Sequence, residues 1–382
     1  MPHLPLQFRG PRAARLAPWL PARRTLHGKG RPAGTFPWAS ASLAAASMAF
    51  TLGAPWRMPR RTLCEAPLRG QRTAATAARP CVELAVRGKT GKSNRLPGAP
   101  TVAFVHGLDS WSGSWRGAME ELERRGVDCM AVDLRGHGLS PLGTPADFGP
   151  AQLAADVRAA LLAAGVLCAD KAARPNVVLV GHSMGGRIAM RYAADFPNDL
   201  AALVIEDMDC ACKQYPTDYL EPTAAEIERK RQFDRVFPSW DECRAALTSF
   251  GYGPQRVDGW LTEDPPRVFP RGPEGAVWTA INPYAQWLAR RTVLSQGDSY
   301  AALQQIAASG ASGSSDFPVH VLVAGPKETV CTWDTLPGGI WDMQSVLPGL
   351  VVTEFPEARH SIHNSSLAAF ADLLEKVASA CR

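Results

Sequence analysis

The sequence predicts an α/β fold, built on a mostly parallel, doubly wound sheet with helices on both faces. Three observations carry that expectation. Short apolar runs recur along the chain, and most end in a glycine or a charged residue. Stretches with helical spacing lie between them. One long segment, residues 210–317, interrupts the alternation. Strands that alternate with helices pair in parallel, because each crossover returns the chain to the same end of the sheet. Ligands bind such sheets beyond the carboxyl ends of the strands. The residues that follow each run are therefore the chemical candidates.

Taken in order, Cys81–Val86 alternates weakly and predicts a first strand. Thr101–Val105 is an apolar run ending in His106-Gly107. Val127–Val132 ends in Asp133, Asn176–Val180 in Gly181, and Leu200–Ile205 in Glu206-Asp207. Val319–Val323 and Val351–Phe355 come much later. Within Gln152–Ala164, Leu153, Val157 and Leu161 recur at helical spacing on one face. Gly186–Phe196 stops before Pro197, which cannot continue a helix. Ser366–Ala378 is the closing helix. Residues 210–317 are too many for a simple connection. They hold five of the six tyrosines and four of the eleven tryptophans, and they read as a mainly helical lid over the strand ends. The lid aromatics fit an acyl pocket or a small core of the lid's own. Glu226–Arg235 fits a solvated helix face.

Charge divides the chain. Lys+Arg number 41 against 36 Asp+Glu, a formal net of +5. Residues 1–64 hold ten basic residues and no acid, so the remainder carries a net of −5. A basic nucleic-acid binder is excluded by that split. Residues 1–79 are expected to be a targeting segment outside the fold, and 80–382 the globular domain. The head is Arg-rich and proline-broken, like an organelle transit peptide. No serine precedes Ser40, which favours a mitochondrial over a plastid address. Residues 38–56 are apolar and near the length of a membrane span, but mostly small, so they predict at most a weak anchor. Nine cysteines are too few for a disulfide scaffold in 382 residues. Cys210 and Cys212 form a close pair without further ligands at metal-site spacing, which fits lid packing. The sequence calls for neither metal nor cofactor, and oligomeric state is open.

Gly181-His182-Ser183-Met184-Gly185 is Gly-x-Ser-x-Gly between a predicted strand and a predicted helix, the context of a nucleophile elbow. Such a turn is so tight that only glycine fits beside the serine, whose hydroxyl projects above the sheet. Helix N-terminal N–H groups lie ready for a developing oxyanion. Leu108, in His106-Gly107-Leu108-Asp109, and Met184 are the predicted backbone donors. His106, Gly107, Asp109 and Trp111 are candidates for the substrate pocket, and Trp115 follows one turn later. His360 follows the last predicted strand and is the candidate base, with His363 in reserve.

These motifs, with Asp133-Leu-Arg135-Gly136-His137-Gly138, resemble the α/β-hydrolase superfamily, in its lid-bearing serine esterase branch. The resemblance covers about residues 80–209 and 318–382. It implies a Ser-His-acid triad and a backbone oxyanion hole. It leaves two positions for the acid. The family's common site, after the penultimate strand, reads Gly325-Pro326-Lys327-Glu328; the other, after the strand that follows the elbow helix, ends at Asp207. Asp207 is preferred because aspartate is the commoner orienting acid, with Glu328 as the alternative. Arg359 stands where the family usually has glycine. The expected activity is hydrolysis of a small carboxylic ester or thioester through an acyl-enzyme on Ser183. Acyl transfer and carbon–carbon bond hydrolysis are the alternatives on the same triad. A silent hydrolase fold serving as a binding protein is the alternative from another class.

Overall fold

The computed structural model describes residues 80–89, 99–167, 176–263, 266–271, 275–310, 316–334 and 337–381. The expected targeting segment, 1–79, and its apolar stretch, 38–56, lie outside them. Among the described residues no helix is long and apolar enough to cross a membrane.

The chain runs β1 (Val86–Lys89), β2 (Thr101–Val105), α1 (Arg116–Arg124), β3 (Cys129–Val132), α2 (Pro150–Ala163), β4 (Val177–His182), α3 (Met184–Asp195) and β5 (Leu200–Glu206). An insertion follows, with α4 (Thr217–Leu220), α5 (Ala224–Arg231), β6 (Val236–Phe237), α6 (Trp240–Ser249), α7 (Pro254–Thr262), β7 (Val268–Pro270), β8 (Val277–Thr279), α8 (Pro283–Ala289) and α9 (Asp298–Ser309). The chain returns through β9 (Val319–Ala324), α10 (Ile340–Val346), β10 (Val351–Phe355), α11 (Ile362–Ser365) and α12 (Leu367–Ala380). The main sheet has the order β1-β3-β2-β4-β5-β9-β10. Only β1 pairs antiparallel, with β3; the other pairings are parallel.

Period-two alternation divides each central strand between two cores. Ala103, Val105, Leu179, Leu203 and Ile205 face α2, α3 and α9, and join Leu153, Ile188 and Leu303. Val102, Phe104, Val178, Val180 and Val204 face α1 and α12, and join Leu122, Phe370 and Leu374. Both faces are therefore dry, and β2 is buried at every position. Each such aliphatic side chain contributes roughly 1.5–3 kcal/mol of burial. This explains why the central strands read as continuous apolar runs.

The first strand differs from expectation. It is Val86–Lys89 instead of Cys81–Val86. β1 is an edge strand, and edges tolerate the charged residues that erase an apolar pattern. The insertion is mainly helical, as expected, but also contains a three-stranded sheet, β6-β8-β7. Some of its aromatics form a core of its own: Tyr252 and Trp260 are buried, with Phe233, Phe237, Trp240 and Phe250 packed against them, while Tyr284 and Trp287 join the main core. Cys210 is buried, with its Sγ against Met190 Sδ.

Candidate active site

Ser183 is the single residue between β4 and α3. Its φ of 52° and ψ of −121° lie in a region that side chains rarely adopt. Holding a non-glycine residue there costs about 1–3 kcal/mol. The surroundings enforce it. A Cβ on Gly181 would sit 2.3 Å from Gly185 O, and one on Gly185 2.3 Å from Val105 O. Neither glycine can be replaced without moving backbone. The Ser183 N–H is held by Glu206 O at 2.9 Å. Gly107 passes just as close: a Cβ there would lie 2.8 Å from His182 Nδ1 and 3.1 Å from Ser183 Cβ. The loop that carries Leu108 is thus pressed against the serine. Met184 opens α3, so its N–H has no acceptor within the helix.

His360 follows β10, and its Nδ1–H donates to Asp207 Oδ2 at 2.6 Å. Asp207 is buried and adopts a φ of 47°. It accepts from the Ala324 N–H at 2.9 Å, the Thr329 hydroxyl at 2.5 Å and the Val330 N–H at 3.2 Å. Burial pushes this carboxyl up, but the bonds from His360, Thr329 and Ala324 outweigh burial and hold it below its ordinary pKa. A carboxylate so placed fixes the Nδ1–H tautomer and leaves Nε2 as a proton acceptor. The imidazole is part-exposed, and its ring lies 4.6 Å from that of His182, the residue before the serine.

Glu328 does not meet the histidine. It is exposed in the loop after β9, with its N–H bonded to Gly325 O. That loop instead lends Thr329 and Val330 to Asp207. His363 is buried, and its Nδ1 bonds Glu206 at 2.8 Å. Glu206 also accepts the His363 N–H at 2.9 Å. Burial would raise Glu206, but the charge interactions with His363 and His182 bring it below its usual range. His182 Nε2–H donates to His360 O at 3.1 Å. The Glu206–His363 pair therefore braces the base's loop from beneath. Sequence reasoning missed it, although Glu206 adjoins Asp207 and His363 lies one turn beyond His360.

The pocket candidates divide. His106 is a correction: both ring nitrogens serve backbone groups, with Nδ1 to Gly107 O at 2.8 Å and Nε2 to the Leu134 N–H at 3.0 Å. Its full burial holds it neutral, with a pKa well below the ordinary value. It ties the loops after β2 and β3 together and offers nothing to a ligand. Trp115 is likewise core, stacked on Phe104 at 4.6 Å and tilted against His363 at 4.1 Å. Trp111 meets the insertion, 5.4 Å from Phe269. Asp109, at a φ of 53°, is buried and taken by the insertion: Gln286 Nε2 donates at 2.8 Å, Tyr252 Oη at 3.1 Å and Arg256 at 3.3 Å. Arg267 donates to its carbonyl. Arg359 is exposed, and its N–H bonds Ser365 Oγ.

A strained serine between the central strand and its helix, in a mostly parallel sheet of this order, is the architecture of an α/β hydrolase. A model of the alpha/beta hydrolase family matches residues 102–373, and the chain belongs to that family. Over 106 residues it is 32% identical to "Putative carbamate hydrolase RutD" of Escherichia coli O44:H18 (strain 042 / EAEC), covering 28% of this chain and 36% of that protein. The chain thus spans little more than a third of that relative's length. Among solved structures it resembles a marine microorganism esterase, with a TM-score of 0.52, 17% identity and coverage of 78% and 99% of the two chains. An esterase from Exiguobacterium antarcticum gives a TM-score of 0.50 at 18% identity, covering 78% and 94%. These two likenesses concern the fold.

Proposed function

We propose that this α/β hydrolase cleaves a small carboxylic ester or thioester through an acyl-enzyme on Ser183. The observation that carries the reading is the 2.6 Å bond between His360 Nδ1 and Asp207 beside the strained serine. On this reading Ser183 Oγ attacks the acyl carbonyl while His360 Nε2 takes its proton. The Leu108 and Met184 N–H groups stabilise the oxyanion of the tetrahedral intermediate. His360 then protonates the leaving alcohol or thiol. Water enters, gives its proton to His360 and attacks the acyl-enzyme, which releases the acid and restores Ser183. Asp207 stays ionised throughout and orients the imidazole. Acyl transfer differs only in the second nucleophile, and nothing in the site excludes water in favour of another alcohol.

The test is fluorophosphonate labelling of the full chain together with turnover of 4-nitrophenyl esters. Wild type should label and turn over, and Ser183→Ala should do neither. Labelling of Ser183→Ala to the wild-type level would end the proposal, and an unlabelled wild type would favour the binding-protein alternative.

A further inference from the structure

One cation of the insertion, Arg290, has no carboxylate paired with it among the described residues. Gln286 lies in α8, and Arg290 follows it four residues on, in the π turn Arg290–Leu294. Residues four apart share a helix face. Gln286 Nε2 reaches Asp109, the neighbour of Leu108, at 2.8 Å. The Tyr219 hydroxyl donates to Gln286 Oε1 at 3.1 Å. Arg290 covers the Tyr219 ring at 5.0 Å and the Tyr215 ring at 5.4 Å. Arg290 thus stands one helical turn from the residue that grips the loop of the proposed oxyanion hole.

Its Nε is buried without a hydrogen-bond partner, while the guanidinium also hydrogen-bonds the Tyr219 side chain. Among the described residues no carboxylate pairs with it. Asp109, the nearby acid, is already used by Gln286, Tyr252 and Arg256. A second cation lies close by: Lys230 Nζ is 5.9 Å from the Tyr219 ring, with Glu226 offsetting part of its charge. Burial, then Arg229, holds that ammonium below its ordinary pKa. The enclosed Nε is out of a ligand's reach, but the side chain as a whole is only half-buried, which leaves the outer part of the guanidinium to receive an acceptor. A planar guanidinium over two aromatic rings is pre-organised for a carboxylate.

We propose that Arg290, framed by Tyr215 and Tyr219, is a specificity subsite for a carboxylate on the substrate, set several bonds from the scissile carbonyl. This rests on the hydrolase reading of Ser183. The carboxylate can belong to the acyl half, as in a monoester of a dicarboxylic acid, or to the alcohol half.

Two matched pairs of esters distinguish these cases in the full chain. 4-Nitrophenyl hydrogen glutarate carries the charge on the acyl side and is read against neutral 4-nitrophenyl pentanoate; carboxymethyl pentanoate carries it on the alcohol side and is read against neutral propyl pentanoate. Wild type should prefer one charged ester over its neutral counterpart by about tenfold or more in kcat/KM. Arg290→Gln should cut that ratio about tenfold, and Arg290→Lys should restore part of it. No preference for either charged ester overturns the subsite, as does an Arg290→Gln ratio equal to wild type. Calorimetry of glutarate with Ser183→Ala and with Ser183→Ala/Arg290→Gln reads the site without turnover. Binding lost on the second change supports the proposal even in a protein that hydrolyses nothing. Absence of binding to Ser183→Ala overturns it even where fluorophosphonate labelling upholds the serine hydrolase.

Discussion

Three non-glycine residues adopt positive φ among the described residues, namely Asp109, Ser183 and Asp207. All three belong to the candidate site. Strain of this kind persists only where neighbours over-determine it, and each has such neighbours. Ser183 is wedged between glycines, Asp207 is held by His360, Thr329, Ala324 and Val330, and Asp109 by four groups of the insertion. The two acids offered by the sequence make the sharpest residue-scale prediction. Asp207→Asn should lower turnover by about 10⁴-fold, because the wrong imidazole tautomer is then favoured. Glu328→Gln should change it by less than about twofold, as expected of an exposed surface group. Steady-state rates on one ester decide the matter; a large loss in Glu328→Gln would contradict the geometry. The serine, its donors and the histidine were legible because local motifs mark them. The Glu206–His363 pair was not, because its members stand 157 positions apart and neither lies in a motif.

At the scale of elements, β2, β4, β5, β9 and β10 could be placed within a residue or two from apolar runs alone. Burial on both faces writes that pattern in β2, β4, β5 and β9; β10 is a part-exposed edge strand whose apolar residues still mark it. β1 escaped because a charged edge has no such run, and β6 because two residues carry no period. The insertion was legible as an interruption, but its docking was not. Its anchors on Asp109 come from 143 to 177 positions away. Asp109→Ala should loosen that docking, since it strands the Tyr252 hydroxyl and the Gln286 amide. The expected cost is about 1–3 kcal/mol. Limited proteolysis should then cut within 210–317 sooner than in wild type. Equal cutting rates would show that the insertion is held by its apolar contacts alone.

For the molecule as a whole, the buried histidines set a pH response. Burial lowers His106 and His137, and holds His182 at about 3. In the unfolded chain each would titrate near about 6.5. Between those values the unfolded state binds more protons, so stability rises with pH and is lost as pH falls below about 6.5. The slope is roughly 1.4 kcal/mol per pH unit for each histidine held neutral. Asp207 and Glu206, both lowered, add to the loss only near pH 4 and beneath, where their unfolded forms take up protons. Urea midpoints of the full chain at pH 7.5, 6 and 5 should fall in that order, and a flat profile would contradict the buried neutral histidines. The route of the chain has a further consequence, in time rather than in energy. Ser183 is tied to Glu206 on the neighbouring strand over one helix, a short closure, whereas Asp207 is held by Ala324, Thr329 and Val330 from far along the chain. His360 reaches Asp207 across 153 positions and arrives with the last strand. Contacts of long separation form late in folding. On the proposed mechanism, catalysis begins only when the final segment docks and brings the base to the acid.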